Sequence, residues 1–205
     1  MPRRKDPDGP RAAMIRSAIS LIRRRGVAAV SFADVLNASG APRGSVYHHF
    51  PGGRAQLVTE ATRVAGDRVT GQLTEALGIP DTAAALRALA DTLARGLDRG
   101  DYAVGCPIAA AALGNEPDAV TAAGAAFDTW RDLIVGKLVR DGAAPERARS
   151  VAVLVVSALE GALVLARTER TPAALDTVVD ELNVLCRSAI GTAPVPWPVT
   201  APDAS

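Results

Sequence analysis

The chain of 205 residues is poor in the residues that build metal sites, disulfide frameworks and β-sheets. It has two histidines and two cysteines, and Cys106 and Cys186 are too far apart to resemble a metal motif. We interpret both cysteines as buried thiols, with a redox sensor as the alternative. Aromatic residues make up only 3% of the chain, which favours helices over strands.

Long uninterrupted apolar runs are also absent. No run reaches the roughly 18 residues of a membrane span, and the polar, basic start does not resemble a signal peptide. The sequence therefore predicts a cytoplasmic protein with no membrane partner. A hydrophobic content of 48% excludes general disorder, and the length allows one or two small domains.

The net charge of +1 conceals an uneven distribution. Residues 1–60 carry ten basic and four acidic side chains, a net +6, while the remainder carries 13 and 18, a net −5. A basic end favours binding to phosphate groups and predicts an affinity that falls with salt, although an unevenly charged solvated surface is the alternative. The basic cluster Arg23 to Arg25 is expected to offset the dipole at a helix C-terminus.

The segment 31–50, SFADVLNASGAPRGSVYHHF, predicts two short helices joined by a glycine turn. Ser31 followed by Asp34 has the form of a capping box, which marks a helix start. Gly40 accepts the left-handed conformation that ends many helices, and Pro42 suits the start of the next one. This spacing is typical of a helix-turn-helix.

Helical periodicity separates an inward face from a polar one in this segment. Phe32, Val35 and Leu36 recur at a spacing of three to four residues, so they can pack inward. Val46 and Phe50 are four apart and can also face the protein. The side chains left on the other faces can bind a phosphate or a base edge, and they are Arg43, Ser45, Tyr47, His48 and His49.

The run GAPRGSVYHHF, followed by a basic residue and a long helix, resembles the DNA-binding signature of the TetR family of bacterial repressors. The resemblance extends across residues 12–60. It implies that Gly44 lets the backbone approach DNA, and that Tyr47 and His49 hold phosphates. It also implies base contacts from Arg43, Ser45 and His48.

One departure from the family pattern affects the last expected phosphate contact. Most members carry a lysine three residues after the final aromatic of the motif, whereas here a Pro-Gly-Gly segment intervenes and Arg54 comes fourth. We expect Arg54 to reach a phosphate from the start of the next helix. The complete set of candidate DNA contacts is Ser31, Arg43, Gly44, Ser45, Tyr47, His48, His49 and Arg54.

Two alternatives apply to these residues. His48 and His49 could be proposed as metal ligands, but adjacent helical residues point about 100° apart and no acid or cysteine sits at a chelating offset, so no metal site is predicted. Tyr47 could instead be a core aromatic whose hydroxyl reaches the surface.

The whole chain is predicted to be all-α, with nine helices, the number that the TetR resemblance also implies. The predicted helices span residues 10–25, 32–39, 43–50, 54–77, 82–99, 106–114, 117–140, 145–168 and 172–190. The predicted organisation is a flexible basic arm (1–9), a helix-turn-helix domain (10–53), a helical ligand-binding and dimerisation domain (54–190) and a disordered proline-rich tail (191–205).

The last two helices suggest how the chain assembles. The stretch 151–165 is apolar almost all round and needs cover on more than one side. An intramolecular core is one solution, and a homodimer is the other. The resemblance implies a homodimer, because TetR-like proteins pack their last two long helices into a four-helix bundle. The predicted interface comprises Val155, Leu159, Leu175, Val178, Val179, Leu182 and Leu185.

The resemblance further implies a pocket within the body, where an inducer moves the DNA-binding heads apart. The candidate lining comprises Leu89, Leu93, Leu97, Phe127, Trp130, Ser157, Glu160 and Leu163. Phe127 and Trp130 could equally be plain core. Glu160 is the one acid in an apolar stretch, and if buried it needs an arginine partner, a proton or a polar group of a ligand. Of these, a structural ion pair is the role we expect.

These observations predict a ligand-responsive repressor that leaves a palindromic operator on double-stranded DNA when a small hydrophobic or aromatic inducer binds. The segments YHHFPGG and CPIAAAAL resemble the TetR branch that controls multidrug or antibiotic export. No catalytic constellation and no cofactor are predicted. The alternatives are a protein-interaction module with a vestigial helix-turn-helix and a small helical enzyme.

Overall fold

The computed structural model describes residues 9–42 and 44–191, and this part of the chain contains nine α-helices and no β-strand. The all-α prediction is confirmed. The helices are α1 (Pro10–Arg25), α2 (Phe32–Ser39), α3 (Ser45–His49), α4 (Gly53–Leu77), α5 (Thr82–Arg99), α6 (Pro107–Ala112), α7 (Pro117–Arg140), α8 (Pro145–Glu169) and α9 (Ala173–Gly191).

Two helices are shorter than the sequence predicted. Helix α3 begins at Ser45 instead of residue 43, and α6 spans Pro107–Ala112 instead of 106–114. Pro107 opens α6 as expected, because proline suits a first helical position where no amide donor is needed. The predicted arm at 1–9 and the predicted tail at 191–205 lie outside the described residues, except for Gly9 and Gly191. Arg43 also lies outside the described residues.

Helices α1, α2 and α3 pack around a small apolar core at one end of the molecule. Val46 and Phe50 face this core, as their four-residue spacing predicted. Burying a side chain as large as Phe50 contributes roughly 2–3 kcal/mol. The core side chains of this part are Met14, Ile15, Ala18, Ile22, Val35, Val46 and Phe50.

Local hydrogen bonds define both ends of α2. The Asp34 amide donates to Ser31 Oγ (3.1 Å), and Ser31 Oγ donates to the Asp34 carboxylate (2.5 Å). These bonds from Ser31 lower the pKa of the Asp34 carboxyl. Gly40, at φ 67°, ends the helix in the left-handed region. The predicted capping box and glycine stop are therefore confirmed.

Helix α4 continues from the helix-turn-helix into the body and packs along α7. A Cβ at Gly66 would lie 3.2 Å from the Ala126 Cβ, so the two helices approach closely there. One turn further on, Trp130 Nε1 donates to Thr70 Oγ1 (2.9 Å). This bond satisfies the indole donor in a largely apolar interface.

The C-terminal end of α1 is bonded directly to the body. The Gly105 amide donates to the Arg23 carbonyl (2.9 Å), and Arg23 Nε donates back to the Gly105 carbonyl (3.1 Å). Arg167 of α8 donates to the Arg24 carbonyl (3.3 Å). These bonds connect the body to α1, the helix against which α2 and α3 pack.

Among the helices of residues 9–42 and 44–191, only α8 is long and apolar enough to cross a membrane by length and composition. Glu160 interrupts its apolar stretch. The core helices of soluble proteins pass the same test, and α8 buries one face against α7 and α9. Its second apolar face is exposed, and this face requires a separate explanation.

Candidate functional site

The outer surface of α3 presents Tyr47 to solvent. This side chain is 68% exposed, and its ring packs edge-to-face on Phe32 with centroids 5.6 Å apart. Its hydroxyl has no hydrogen-bond partner among the described residues. The alternative of a core aromatic is therefore wrong: Phe32 orients the ring, and the hydroxyl is available to an external acceptor.

The two histidines extend this surface. His48 is exposed and His49 half-buried, with ring centroids 5.1 Å apart. Within the part of the chain that the structure describes, no group of three or more histidine, cysteine or acidic side chains could hold a metal ion. Both imidazoles can donate or accept hydrogen bonds at a nucleic-acid surface.

Hydrogen bonds within the protein restrict two further candidates. Ser45 Oγ donates to the Pro42 carbonyl (2.7 Å), so its oxygen is left to accept a bond. The Ser31 hydroxyl is occupied in both directions by Asp34. We therefore reassign Ser31 from a DNA contact to the cap of α2. A Cβ at Gly44 would meet nothing within 4 Å, so the space above this residue is open.

Arg54 does not extend toward solvent as the sequence led us to expect. Its Nε donates to the Val30 carbonyl (2.6 Å), and its terminal nitrogens bind the Val27 carbonyl and the Glu116 carboxylate. The intervening glycines place α4 so that this guanidinium lies between the α1–α2 loop and the start of α7. Arg54 thus joins the helix-turn-helix to the body and is corrected from a phosphate contact to a structural link.

A second feature is a cavity of about 170 Å³ inside the body. Its wall is mainly apolar and is formed by α1, α4, α5, the loop before α6, α7 and α8. Ile19 and Arg23 bring the first helix of the helix-turn-helix into this wall. Six of the eight predicted lining residues belong to it, namely Leu89, Leu93, Leu97, Trp130, Glu160 and Leu163.

The other two predicted residues lie elsewhere. Ser157 is exposed, because the cavity side of α8 carries Val156 and Glu160, and a residue one position from Val156 is rotated by about 100°. Phe127 is half-buried and packs edge-to-face on Trp130 with centroids 5.2 Å apart. Phe127 therefore contacts a lining residue, Trp130, without lining the cavity itself.

Glu160 makes a different contact from the ion pair expected of it. Its carboxylate accepts a hydrogen bond from the Cys106 thiol, and the described residues provide it with no salt bridge. Burial raises the pKa of Glu160, an effect that the thiol bond partly opposes. Burial, followed by the nearby Glu160 carboxylate, raises the pKa of Cys106, which keeps the thiol protonated and unreactive at neutral pH.

Replacing Glu160 by glutamine is expected to stabilise the protein in mildly alkaline solution. Because the folded-state pKa is raised, the stability that the neutral carboxyl provides is lost as the pH rises through that value. The amide cannot ionise. We expect the midpoint of thermal unfolding of E160Q to exceed that of the parent at about pH 8, with the difference shrinking toward about pH 5.

The control for this measurement is Glu75→Gln, which removes an exposed carboxylate without a partner in the described residues. It should not show the same pH-dependent gain. A stability difference between E160Q and the parent that did not change with pH would contradict the assignment of a raised pKa.

Sequence reasoning missed three arginines in the cavity wall: Arg23, Arg68 and Arg99. Arg23 was assigned only to the dipole of α1. Its position four residues after Ile19 was a usable signal, because both then lie on one helix face. Arg68 and Arg99 stand on helices whose rotation depends on packing, so the sequence offered no comparable sign.

Two family profiles match this chain, one over the helix-turn-helix and one over the body. The profile described as bacterial regulatory proteins of the tetR family matches residues 14–61. A second profile, the C-terminal domain of LmrA/YxaF-like transcriptional regulators, matches residues 82–181. An uncharacterized HTH-type transcriptional regulator of Mycobacterium tuberculosis is 45% identical over 185 residues, covering 86% of this chain and 94% of the relative.

The chain belongs to the TetR family.

Relatives of lower sequence identity are also transcriptional regulators. The uncharacterized HTH-type regulator YxaF of Bacillus subtilis is 28% identical over 86% of this chain and 95% of its own length. A crystal structure of a TetR regulatory protein from Rhodobacter sphaeroides superposes with a TM-score of 0.76, covering 85% of this chain and 97% of that one, at 20% identity. The protein is thus an HTH-type transcriptional regulator of the TetR family, a family of regulators and not of enzymes.

The predicted dimer residues require correction within this TetR-family fold. Five of them are already buried in the chain's own core, where α8 and α9 face each other and α7, and these are Val155, Leu159, Leu175, Val179 and Leu182. Val178 and Leu185 are half-buried. The sequence identified the apolar helices correctly but selected their inward faces, because α8 carries apolar residues on both faces and the apolar stripe of α9 is the inward one.

Helix α8 also carries apolar side chains on the side that faces away from α7 and α9. Leu154 and Leu165 are 49% and 51% exposed, and their separation of eleven residues places them on one side of the helix. Between them lie half-buried Ala158 and exposed Gly161, whose missing Cβ would meet nothing within 4 Å. On α9, Val184 is 65% exposed. Side chains of this kind rarely form an extended free surface.

Proposed function

We propose that this TetR-family regulator is a cytoplasmic homodimeric repressor that leaves a near-palindromic operator when a small hydrophobic or aromatic molecule enters its cavity. The observation that carries this proposal is the composition of the cavity wall. Ile19 and Arg23 belong both to that wall and to α1, the helix against which α2 and α3 pack. A ligand in the cavity would therefore contact the DNA-binding part directly.

Residues 10–53 would supply the DNA contacts. Tyr47 and His49 bind phosphates in this proposal, while His48, Ser45 and Arg43 read base edges. The exposure of Tyr47 and His48, and the free acceptor on Ser45, support these assignments. The net charge of +6 over residues 1–60 supplies the attraction to the phosphate backbone.

Residues 54–190 would hold the ligand and the partner subunit. The exposed face of α8, defined by Leu154, Ala158, Gly161 and Leu165, supports pairing with its copy, and Val184 on α9 extends that face. A twofold dimer presents two identical heads to two half-sites at a spacing that the protein fixes. This geometry is the reason for expecting a near-palindromic operator.

Release would follow from a shift between two populations. A ligand that binds more tightly to a form with altered head spacing favours that form, and DNA affinity then falls by the same coupling free energy. The paired hydrogen bonds between Arg23 and Gly105 lie beside the cavity and offer a route for this coupling.

DNA recognition can be tested by selecting binding sites from random duplex DNA and measuring affinities at fixed salt. We expect Tyr47→Phe to weaken every selected site by about tenfold, because each subunit loses one hydroxyl–phosphate bond. Arg43→Ala and His48→Ala are expected to change the preferred sequence instead, since contacts to base edges carry the sequence information.

The matched control is Tyr102→Phe, the same chemical change at a half-buried tyrosine in the body. It should leave DNA affinity unchanged. The assignment of α3 to DNA recognition fails if no sequence is enriched, or if the Tyr47, His48 and Arg43 variants all bind DNA as the parent does.

A further inference from the structure

We infer that the cavity binds an amphipathic anion: an apolar body carrying one carboxylate or similar negative group, which lies against Arg23, Arg68 and Arg99. The inference rests on the proposed function and deepens it, because it specifies the chemical class of the inducer. It depends on the charges in the wall, the size of the apolar part and the lack of an ion pair for these three arginines among the described residues.

The three guanidinium groups come from three helices, and those of Arg68 and Arg99 both repel that of Arg23. Arg23 lies in the last turn of α1 and is half-buried, whereas Arg68 of α4 and Arg99 of α5 line the cavity from exposed positions. A Cβ at Gly96 would lie 3.9 Å from Arg23 Nη2, so α5 runs close to this group. Arg68 and Arg99 have no partner within residues 9–42 and 44–191.

No carboxylate is prominent among the charges that act on Arg23. Burial is the largest influence and lowers its pKa, and repulsion from Arg68, Arg24 and Arg99 lowers it further. Cys106 acts in the opposite direction only as a thiolate, and its own raised pKa keeps it protonated. Clustered like charges without a counter-charge cost free energy, which a bound anion would offset.

A cation is disfavoured by the same wall. Glu160 is the single acid among the lining residues, and its carboxylate already accepts the Cys106 thiol hydrogen. A cation bound to Glu160 would have to displace that bond, in a cavity whose wall carries three arginines. The Nε of Arg23 is engaged by Gly105, but this bond leaves the terminal nitrogens of the fork available to an anion.

The remainder of the wall suits an apolar body of limited size. A volume of about 170 Å³ is comparable to that of apolar cavities of about 150 Å³ that hold a benzene ring. The apolar part lies farther along α4, α5, α7 and α8, and includes Leu73, Leu89, Leu93, Trp130, Ile134 and Leu159. A single ring or a medium-length acyl chain with one charged end matches this division.

The test compares probes that share a body and differ in head-group charge. One series is octanoate, octan-1-ol and octylamine, and the other is 4-ethylbenzoate with its benzyl alcohol and benzylamine analogues. In calorimetric titrations of the full chain, we expect the carboxylate of at least one series to bind about tenfold more tightly than its neutral and cationic analogues.

Substitutions of the arginines in the cavity wall test which of them bind the carboxylate of the probe. Arg68→Gln and Arg99→Gln are each expected to weaken carboxylate binding by about tenfold without affecting the alcohol, and Arg68→Lys should restore part of it. The matched control is Arg63→Gln on α4, which removes an exposed arginine outside the cavity wall. Unfolding curves establish that each variant remains folded.

The inference is overturned if the alcohols or amines bind as tightly as the carboxylates, if no probe binds, or if R68Q and R99Q bind the carboxylate as the parent does. Operator release is measured separately by fluorescence anisotropy. Release by an alcohol or amine would overturn the anionic class and preserve ligand-responsive regulation. Tight carboxylate binding that leaves operator affinity unchanged would support the site and contradict the proposed induction.

Discussion

Replacing Leu154 and Leu165 together by glutamate is expected to convert the proposed homodimer to a monomer. Both leucines lie on the exposed side of α8, so each dimer would bring four added carboxylates into an apolar contact. Removing charges from water without partners costs several kcal/mol, which exceeds the contribution of the leucines it replaces. Light scattering at micromolar concentration measures the change in mass.

Because the variant no longer dimerises, its affinity for the operator should fall as well. Two linked heads bind the second half-site intramolecularly, and losing this linkage lowers affinity by about 10²–10⁴-fold. The control carries glutamates at Leu113 and Val120, two exposed apolar positions outside α8 and α9. It has the same added charge and should remain dimeric. A parent protein that is monomeric, or a variant that remains dimeric, would refute this interface.

Replacing Arg54 by alanine is expected to destabilise the protein by about 2–3 kcal/mol. The change leaves the carbonyls of Val27 and Val30 and the carboxylate of Glu116 without their partner in a half-buried position. Denaturant unfolding should show a lower midpoint. Because Arg54 joins the α1–α2 loop to the start of α7, DNA affinity should fall as well, even though its guanidinium is bonded within the protein.

Arg63→Ala provides the comparison, since Arg63 is exposed on the same helix and has no partner in the described residues. Its unfolding midpoint should match that of the parent. If R54A were as stable as the parent and lost only a salt-dependent part of its DNA affinity, Arg54 would be the phosphate contact that the sequence pattern first suggested.

The success of the sequence interpretation depended on the range of the interactions involved. Ser31, Gly40 and Pro107 were assigned correctly as cap, stop and helix start, because each acts on backbone groups within a few residues. The inward faces of α2 and α3 also followed from periodicity. The predictions that depended on contacts between distant segments fared less well.

Arg54, Glu160 and Ser157 illustrate this limit. The partners of Arg54 are 24, 27 and 62 residues away, so nothing near it in the chain indicated a structural link. The sequence predicted an ion pair between Glu160 and an arginine, whereas in the structure the Glu160 carboxylate accepts a hydrogen bond from the Cys106 thiol. Ser157 shared a helix with true lining residues, but the rotation of α8 turned it outward.

By itself the sequence determined the helices, their caps, the basic head and the DNA-binding motif, since these depend on local propensity, spacing and charge. The tertiary structure decided which of two apolar faces of α8 is exposed, and which arginines meet in the cavity. Those outcomes depend on helix rotation and packing between segments far apart in the chain, and a sequence pattern that is apolar on both sides is compatible with either rotation.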